Sequence, residues 1–74
     1  MNLTLDLHGV RHQDVPHKVD QFIGYHLTNG SREVNIIVGH SERMKEIVDV
    51  TLIDYNLKSE YTFFSKTTLL VKLV

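Results

Sequence analysis

Apolar residues recur along this chain with two different periods, and the order of those periods restricts the fold more than any other feature. Leu3, Leu5 and Leu7 alternate with polar residues from position 2 to position 8, which is the period of two that marks a strand with one buried face. Farther along, the period lengthens to that of a helix with one apolar stripe, formed by Val15, Val19, Phe22, Ile23 and Leu27. The sequence therefore predicts a strand followed by a helix.

Residues that favour helix termini indicate where the first helix begins and ends. Asp14 is suited to cap the N-terminus, and Pro16 is tolerated in a first turn, where a missing N–H costs no intrahelical bond. Asn29-Gly30 follows the apolar stripe, and glycine suits the left-handed turn that often closes a helix. We therefore expect the helix to begin after Asp14 and to run to about Thr28.

The second half of the chain repeats the strand and the helix and then adds two strands. Residues 33–38 are rich in β-branched side chains and predict a buried strand. Ser41 favours the N-cap of a second helix, which should end near Asn56. The last two predicted strands, at 60–64 and 68–73, are separated by so few residues that they must form an antiparallel hairpin.

The order βαβαββ predicts an α/β fold within a single domain over residues 1–74. Strands joined through helices of this length run parallel with right-handed crossovers. Because only one face of the first strand is apolar, both helices should cover the same face of the sheet. We therefore expect a two-layer sandwich, in which a four-stranded mixed sheet carries two helices on one face.

Composition and charge exclude several classes of function. The chain has no cysteine, so a disulfide, a thiolate nucleophile and a zinc–thiolate site are all excluded. No apolar stretch approaches the roughly 20 residues that cross a bilayer, and we expect a soluble, cytoplasmic protein without a membrane partner. The formal net charge is −1, so binding to nucleic acid would have to depend on a local patch rather than on the overall charge.

Two glycine-containing loops should meet at the carboxyl ends of the parallel strands, where α/β sheets place their sites. The first is Asp6-Leu7-His8-Gly9, and the second is Gly39-His40-Ser41, which leads directly into a helix N-terminus. Free N–H groups and the helix dipole favour an anion there. Arg43 and Lys45 lie in the first turn of that helix, where cations are unfavourable unless an anion is bound.

The first loop and its surroundings resemble the Smr (small MutS-related) domain family. Leu5-Asp6-Leu7-His8-Gly9 is similar to the family's leucine-aspartate-x-histidine-glycine motif, and Phe22-Ile23 matches the end of its first helix. The segment from Val34 to Ser41 resembles the family's second strand and glycine loop, and Met44–Val48 resembles the following helix. The likeness covers residues 3–74 in the family's βαβαββ order, as expected for a stand-alone, single-domain member.

The resemblance implies binding of structured or branched DNA or RNA and, as in several members, nicking endonuclease activity. Asp6 and His8 match the family's motif residues and become the candidate catalytic pair. Asp6 would act as a general base toward water or an RNA 2′-hydroxyl, or would orient His8, which would protonate the leaving oxygen or hold the scissile phosphate. Both residues also have a structural interpretation, in which they satisfy the turn after the strand.

The phosphate backbone would be held by residues from both loops and the following helix, namely Gly9, Arg11, Gly39, His40, Ser41, Arg43 and Lys45. No metal site is predicted, because no single helix or strand fixes His8, His12 and His40 together. Asp6 alone is too little to hold Mg²⁺ without substrate phosphates, so dependence on Mg²⁺ is left open.

An alternative function is a non-catalytic module that docks on nucleic acid, a ribosome or a protein partner. Ser41 stands where many family members have a second glycine, and Ser65-Lys66-Thr67 replaces a connection that commonly contains one. The helix-free face of the sheet should also carry Ile37, Phe64 and Leu70, an apolar patch that favours a homodimer or a protein partner. The polar side chains expected around this patch are Thr4, Asn35, Thr62 and Lys72.

Overall fold

A computed structural model describes residues 2–62 and 65–74 of the chain. It contains four strands and two helices in the predicted order, with one additional turn of 3-10 helix at His12–Asp14. The strands are β1 (Thr4–Asp6), β2 (Glu33–Ile37), β3 (Ser59–Thr62) and β4 (Ser65–Lys72), and the helices are α1 (Val15–Thr28) and α2 (Glu42–Ile53).

The strands form one mixed sheet in the order β1-β2-β4-β3. β1 runs parallel to β2, with Thr4 opposite Asn35 and Asp6 opposite Ile37. β2 pairs antiparallel with β4, and β4 pairs antiparallel with β3, as the predicted hairpin requires. Because β4 lies between β2 and β3, the hairpin places its second strand in the middle of the sheet and its first strand at the edge.

One hydrophobic core lies between the sheet and both helices, which confirms the predicted two-layer α/β sandwich. Val34 and Ile36 of β2 face the same side as their partners on β4, and all four side chains are fully buried. The helices complete the core with their own buried side chains, which are Val15, Val19, Phe22 and Ile23 from α1 and Met44, Val48 and Leu52 from α2.

The apolar stripe predicted for α1 is wrong at its last position. Leu27 is 39% exposed, whereas the neighbouring His26 is only 2% exposed. The imidazole is tolerated in the core because both ring nitrogens are bonded, Nδ1 with the Ser31 hydroxyl at 2.8 Å and Nε2 with the Asn2 carbonyl at 2.9 Å. His26 thereby connects the start of the chain to the turn that follows α1.

α1 ends at Thr28 and α2 begins after Ser41, as predicted, whereas α2 ends at Ile53, three residues before the predicted end near Asn56. The Ser41 hydroxyl accepts a hydrogen bond from the Met44 N–H at 3.0 Å, so the predicted cap of α2 is confirmed. After α1, the Ser31 N–H reaches back to the His26 carbonyl, and after α2 the Leu57 N–H bonds to the Leu52 carbonyl, as in Schellman motifs.

The predicted side-chain cap of α1 is wrong. Asp14 precedes the helix, but its backbone is helical and its side chain makes no capping hydrogen bond. The preceding 3-10 turn is the physical reason, because the Asp14 N–H already bonds to the Arg11 carbonyl at 2.9 Å. A cap residue normally has an extended backbone, which this turn does not allow.

Two strand boundaries also differ from the prediction. β1 is limited to three residues, and Leu3 is 52% exposed, because β1 has a neighbour on one side only and pairs over just that length. β4 begins at Ser65 instead of position 68 because its first residues pair with the end of β3 across a register shift between Tyr61 and Thr62. Phe63 and Phe64, at the predicted end of the third strand, lie outside the described residues.

The described part of the chain contains no helix that is both long enough and apolar enough to cross a membrane. The longer helix, α1, has 14 residues, whereas roughly 20 apolar residues are needed to span the hydrocarbon region.

Candidate nucleic-acid interface

Three chain segments meet at the end of the sheet where β1 and β2 finish. The Leu7 N–H donates to the Ile37 carbonyl at 3.0 Å, which holds the first loop against the end of β2. The Thr67 carbonyl accepts from the N–H groups of both Val38 and Gly39, at 2.8 and 3.1 Å. We call this region, formed by residues 6–11, 38–41 and 65–67, the three-loop end.

The first loop is a tight turn whose shape depends on Gly9. The Val10 N–H donates to the Leu7 carbonyl at 3.1 Å, and Gly9 at the third turn position has a φ of 76°. His8 at the second position does not have a positive φ, so the turn is of type II, whose third position strongly favours glycine. The turn returns the chain toward α1 immediately after the strand.

The Asp6 carboxylate stabilises this turn directly. Its Oδ1 accepts a hydrogen bond from the His8 N–H at 2.9 Å, an Asx turn of the kind that aspartate often forms. Both residues are exposed. The register places Asp6 opposite Ile37, and Ile37 opposite Thr68, so these side chains lie in one row on the helix-free face.

The second loop positions the N-terminus of α2 beside the first. Gly39 has a φ of 67° and is held by its bond to Thr67. The Ser41 hydroxyl accepts a hydrogen bond from the Met44 N–H. The Ser41 carbonyl accepts the first bond of the helix, which the Lys45 N–H donates. The N–H groups of Glu42 and Arg43 come earlier in the helix, so helix geometry gives them no intrahelical acceptor.

The two cations predicted to reach a phosphate are both paired with acidic side chains of α2. Arg43 contacts Glu46 at 3.3 Å on an exposed surface, and Lys45 contacts Asp49 at 2.6 Å. The hydrogen bond that the Lys45 ammonium donates to the Asp49 carboxylate raises the pKa of Lys45 above its ordinary value. These pairs offset the unfavourable interaction of the cations with the helix dipole, so a bound phosphate is not required to explain their position.

Unlike Arg43 and Lys45 of α2, two cations of the three-loop end lack acidic partners. Within residues 2–62 and 65–74, the side chains of Arg11 and Lys66 form no ion pair, and both are exposed. Arg11 follows the first loop. Lys66 lies in the segment that contacts Gly39 through the Thr67 carbonyl.

Sequence reasoning did not include the Ser65–Thr67 segment in the site, although the topology predicts its position. The amino end of an antiparallel strand lies beside the carboxyl end of its neighbour, and β4 is the antiparallel neighbour of β2. Hydroxyl contacts shape this segment. Ser65 Oγ lies 2.6 Å from Thr67 Oγ1 and accepts from the Thr67 N–H at 3.1 Å.

The described residues contain no group of three or more histidine, aspartate or glutamate side chains arranged to hold a metal ion. His8, His12 and His40 therefore do not form such a group. Asp6 is the acidic residue that lies at the three-loop end, on the helix-free face.

The helix-free face is mixed in character. Register places Thr4, Asn35 and Leu70 in one row across it, and Lys72 lies opposite Glu33 on the same face. Ile37 and Leu70 are half-buried, as expected for two apolar residues surrounded by polar ones. Phe64, the third member of the predicted apolar patch, lies outside the described residues, and the patch stays a prediction.

Comparison with known families agrees with this arrangement. The family model of the Smr domain matches residues 5–66, which includes the first two loops, both helices and the start of the third segment. No curated protein and no solved structure matches the chain significantly. The match associates the chain with nucleic-acid-binding or nuclease-like modules.

Proposed function

Because this chain belongs to the Smr domain family, we propose that it binds structured or branched DNA or RNA at the three-loop end and nicks the backbone with Asp6 and His8. The observation that carries the proposal is the convergence of three loops at the carboxyl ends of β1 and β2. Hydrogen bonds from Leu7 to Ile37 and from Gly39 to Thr67 fix that convergence. A site on backbone held in this way is pre-organised for a rigid ligand.

A phosphate backbone would be bound mainly by backbone groups and by side chains at the rim. Gly9 and Gly39 have no side chain and leave space for a close approach, since an added Cβ would meet no atom within 4 Å at either position. The N–H groups that begin α2 would face the anion. Side chains of His40, Ser41, Arg11 and Lys66 would surround it, with Arg43 and Lys45 contributing once released from their acidic partners.

The proposed reaction is in-line displacement at the scissile phosphorus. Asp6 would take a proton from the attacking water as the new P–O bond forms, and His8, protonated, would give its proton to the leaving oxygen as the old bond breaks. On RNA, the adjacent 2′-hydroxyl can replace water, which leaves a 2′,3′-cyclic phosphate. Asp6 has a second carboxylate oxygen for this role beside the one bonded to the His8 N–H.

Mg²⁺ fits this site only in part. The three-loop end supplies one carboxylate, Asp6, and Mg²⁺ ordinarily needs one or two carboxylates together with substrate phosphates and water. A bound nucleic acid would therefore have to complete the coordination. The proposed proton transfers use only groups of this chain, the attacking water and the substrate.

A second candidate function is binding without cleavage, and one observation favours it. The Asp6 carboxylate already has a structural role in the first turn, which by itself would account for an aspartate at this position. In that case the domain would dock on nucleic acid, a ribosome or a protein partner and would leave the backbone intact.

The two candidates are separated by one assay that measures binding and cleavage on the same substrates. Supercoiled plasmid, a branched DNA and a hairpin RNA are incubated with the protein, with and without Mg²⁺, and nicked products and bound fractions are quantified. We expect nicking by the wild type and its loss in Asp6→Asn and His8→Ala, with binding retained. Binding without any cleavage would instead establish the non-catalytic function.

Two controls protect this assay from misinterpretation. Each variant is first shown to be folded by circular dichroism and urea unfolding. His12→Ala removes a histidine of the adjacent 3-10 turn and should leave cleavage unchanged. Cleavage that persists in both Asp6→Asn and His8→Ala would exclude the proposed catalytic pair.

A further inference from the structure

The surface between the two helices contains a groove that shares one residue, Arg43, with the proposed nucleic-acid site. Its volume is about 510 Å³, and we call it the α1–α2 groove. Its lining comes from the first half of α1 and the length of α2, namely Pro16 and Asp20 with Arg43, Glu46, Ile47, Val50, Thr51 and Asp54.

The groove exposes apolar side chains on the outer surface of α2. A helix that packs on a core normally carries polar residues on that side. α2 buries Met44, Val48 and Leu52 in the core, yet its outer surface carries Val50 and Ile53, each 66% exposed. Val50 lies within the groove, beside the half-buried Ile47. Ile53 lies outside the lining, so the apolar surface of the groove itself is formed by Pro16, Ile47 and Val50. Adjacent apolar side chains that remain exposed mark a surface suited to a partner.

The charged part of the groove is predominantly acidic. Asp20, Glu46 and Asp54 contribute three carboxylates, against the single guanidinium of Arg43. Glu46 is paired with Arg43, so the carboxylates of Asp20 and Asp54 leave the groove negative. A phosphate backbone would be repelled here, which distinguishes this surface from the three-loop end.

One contact holds the two walls of the groove in place. The Tyr55 hydroxyl, just after α2, donates to the carboxylate of Asp20 on α1, and that bond raises the pKa of Tyr55 above its ordinary value. The groove is thus preformed, and a ligand would not have to order it.

We propose that the α1–α2 groove binds a basic, amphipathic segment of a protein partner, with apolar side chains on Ile47 and Val50 and lysines or arginines beside Asp20 and Asp54. Charge complementarity selects this occupant, because an acidic segment would be repelled by the same carboxylates. Such a partner would bind on the helix layer, while nucleic acid binds at the three-loop end. The two ligands would therefore occupy separate surfaces that share only Arg43.

The test uses a fluorescein-labelled helical peptide made of leucine and lysine, with leucines at helical spacing, and the same peptide with glutamate in place of lysine. Fluorescence anisotropy measures affinity, and amide shifts in ¹⁵N NMR spectra locate the site. We expect binding of the lysine peptide alone, with shifts at Asp20, Ile47, Val50 and Asp54. Equal binding of the glutamate peptide, or shifts confined to other surfaces, would overturn the proposal.

Matched variants separate this site from general attraction between opposite charges. Val50→Ser and Asp54→Asn should each weaken binding by about fivefold to tenfold, in the range that exposed interface positions reach. Leu3→Ser and Glu33→Gln change an exposed apolar and an exposed acidic residue elsewhere and should leave affinity unchanged. Equal losses in both pairs would overturn the proposal.

Sedimentation of the protein without peptide tests whether the groove instead binds a second copy of the chain. We expect Val50→Ser to leave the oligomeric state unchanged. A dimer that disappears in Val50→Ser would assign the groove to a second copy of the chain and would overturn the proposal. No nucleic acid is present in these measurements, so their outcome is independent of the proposed function of the three-loop end.

Discussion

The Oδ1 atom of Asp6 accepts a hydrogen bond from the backbone N–H of His8 at 2.9 Å, across the turn that ends β1. The two residues of the candidate catalytic pair are therefore coupled through the backbone of one of them. A change at Asp6 has two separable consequences, one for the shape of the turn and one for the charge beside it. Variants that differ in only one of these properties distinguish structure from chemistry.

Asp6→Asn and Asp6→Ala should differ in stability and agree in activity. Asparagine keeps an oxygen that can accept from the His8 N–H, whereas alanine removes it at a cost of about 0.5–1.5 kcal/mol in the free energy of unfolding. Both lose the carboxylate, and nicking should fall by about 10²–10⁴-fold in each if Asp6 is the general base. Urea unfolding and plasmid nicking measure the two effects, and equal activity of Asp6→Asn and wild type would exclude the general-base role.

Replacing Ser41 with aspartate should preserve the stability of the fold but weaken nucleic-acid binding. Ser41→Ala loses the hydrogen bond to the Met44 N–H and should lower the free energy of unfolding by about 1 kcal/mol. Ser41→Asp can cap the helix equally well and interacts favourably with its dipole, so stability should be retained. The added negative charge would repel phosphate at the three-loop end, and affinity for a hairpin RNA should drop. Undiminished affinity would argue that phosphate does not approach α2.

Gly39→Ala and Gly24→Ala should have opposite effects on stability. Gly39 has a φ of 67°, and an added Cβ would meet no atom within 4 Å. Alanine there should therefore destabilise the protein by about 1–2 kcal/mol through backbone strain alone. Gly24 lies inside α1, where an added Cβ would be 3.9 Å from the Tyr55 hydroxyl, an ordinary contact. Alanine there should stabilise the protein by about 0.5–1 kcal/mol. Thermal unfolding of the two variants beside wild type measures both shifts, and a stabilised Gly39→Ala would contradict the required turn geometry.

The architecture was accessible from the sequence because its determinants are local. Alternation around Leu5, the helical stripe around Val19 and the cap at Ser41 each act within a few residues, and the structure confirms the elements they predict. The errors occur where tertiary contacts decide. His26 replaces Leu27 in the core because Asn2 and Ser31, distant in sequence from each other, satisfy its ring.

The sequence predicted the first two loops of the candidate site and missed the third. The motif around Asp6 and the turn around Gly39 are sequence signals, and the parallel strands place them together. Lys66 carries no such signal, and its position follows only from β4 lying beside β2. The partners of Lys45 and Arg43 could have been foreseen, because Asp49 and Glu46 stand at the i+4 and i+3 positions of the same helix.

These ion pairs lead to a prediction about which cations determine affinity. Lys45 must leave Asp49 before it can reach a phosphate, whereas Arg11 and Lys66 have no acidic partner to leave among the described residues. We therefore expect Arg11→Gln and Lys66→Gln to weaken binding to branched DNA more than Lys45→Gln does. The slope of log affinity against log salt is negative, and each lost phosphate contact should reduce its magnitude by about 0.9.

Salt titrations of the three variants and the wild type test this ranking directly. Lys45→Gln serves as the matched control, since all three substitutions remove one positive charge and change the net charge of the domain equally. If Lys45→Gln reduces the magnitude of the salt slope as much as Lys66→Gln does, the reduction reflects overall charge or a rearranged α2. It would then not report contacts at the three-loop end. Counterion release depends only on the cations that neutralise a phosphate. A slope of smaller magnitude in Arg11→Gln and Lys66→Gln alone would therefore place the bound backbone beside the first loop and the start of β4.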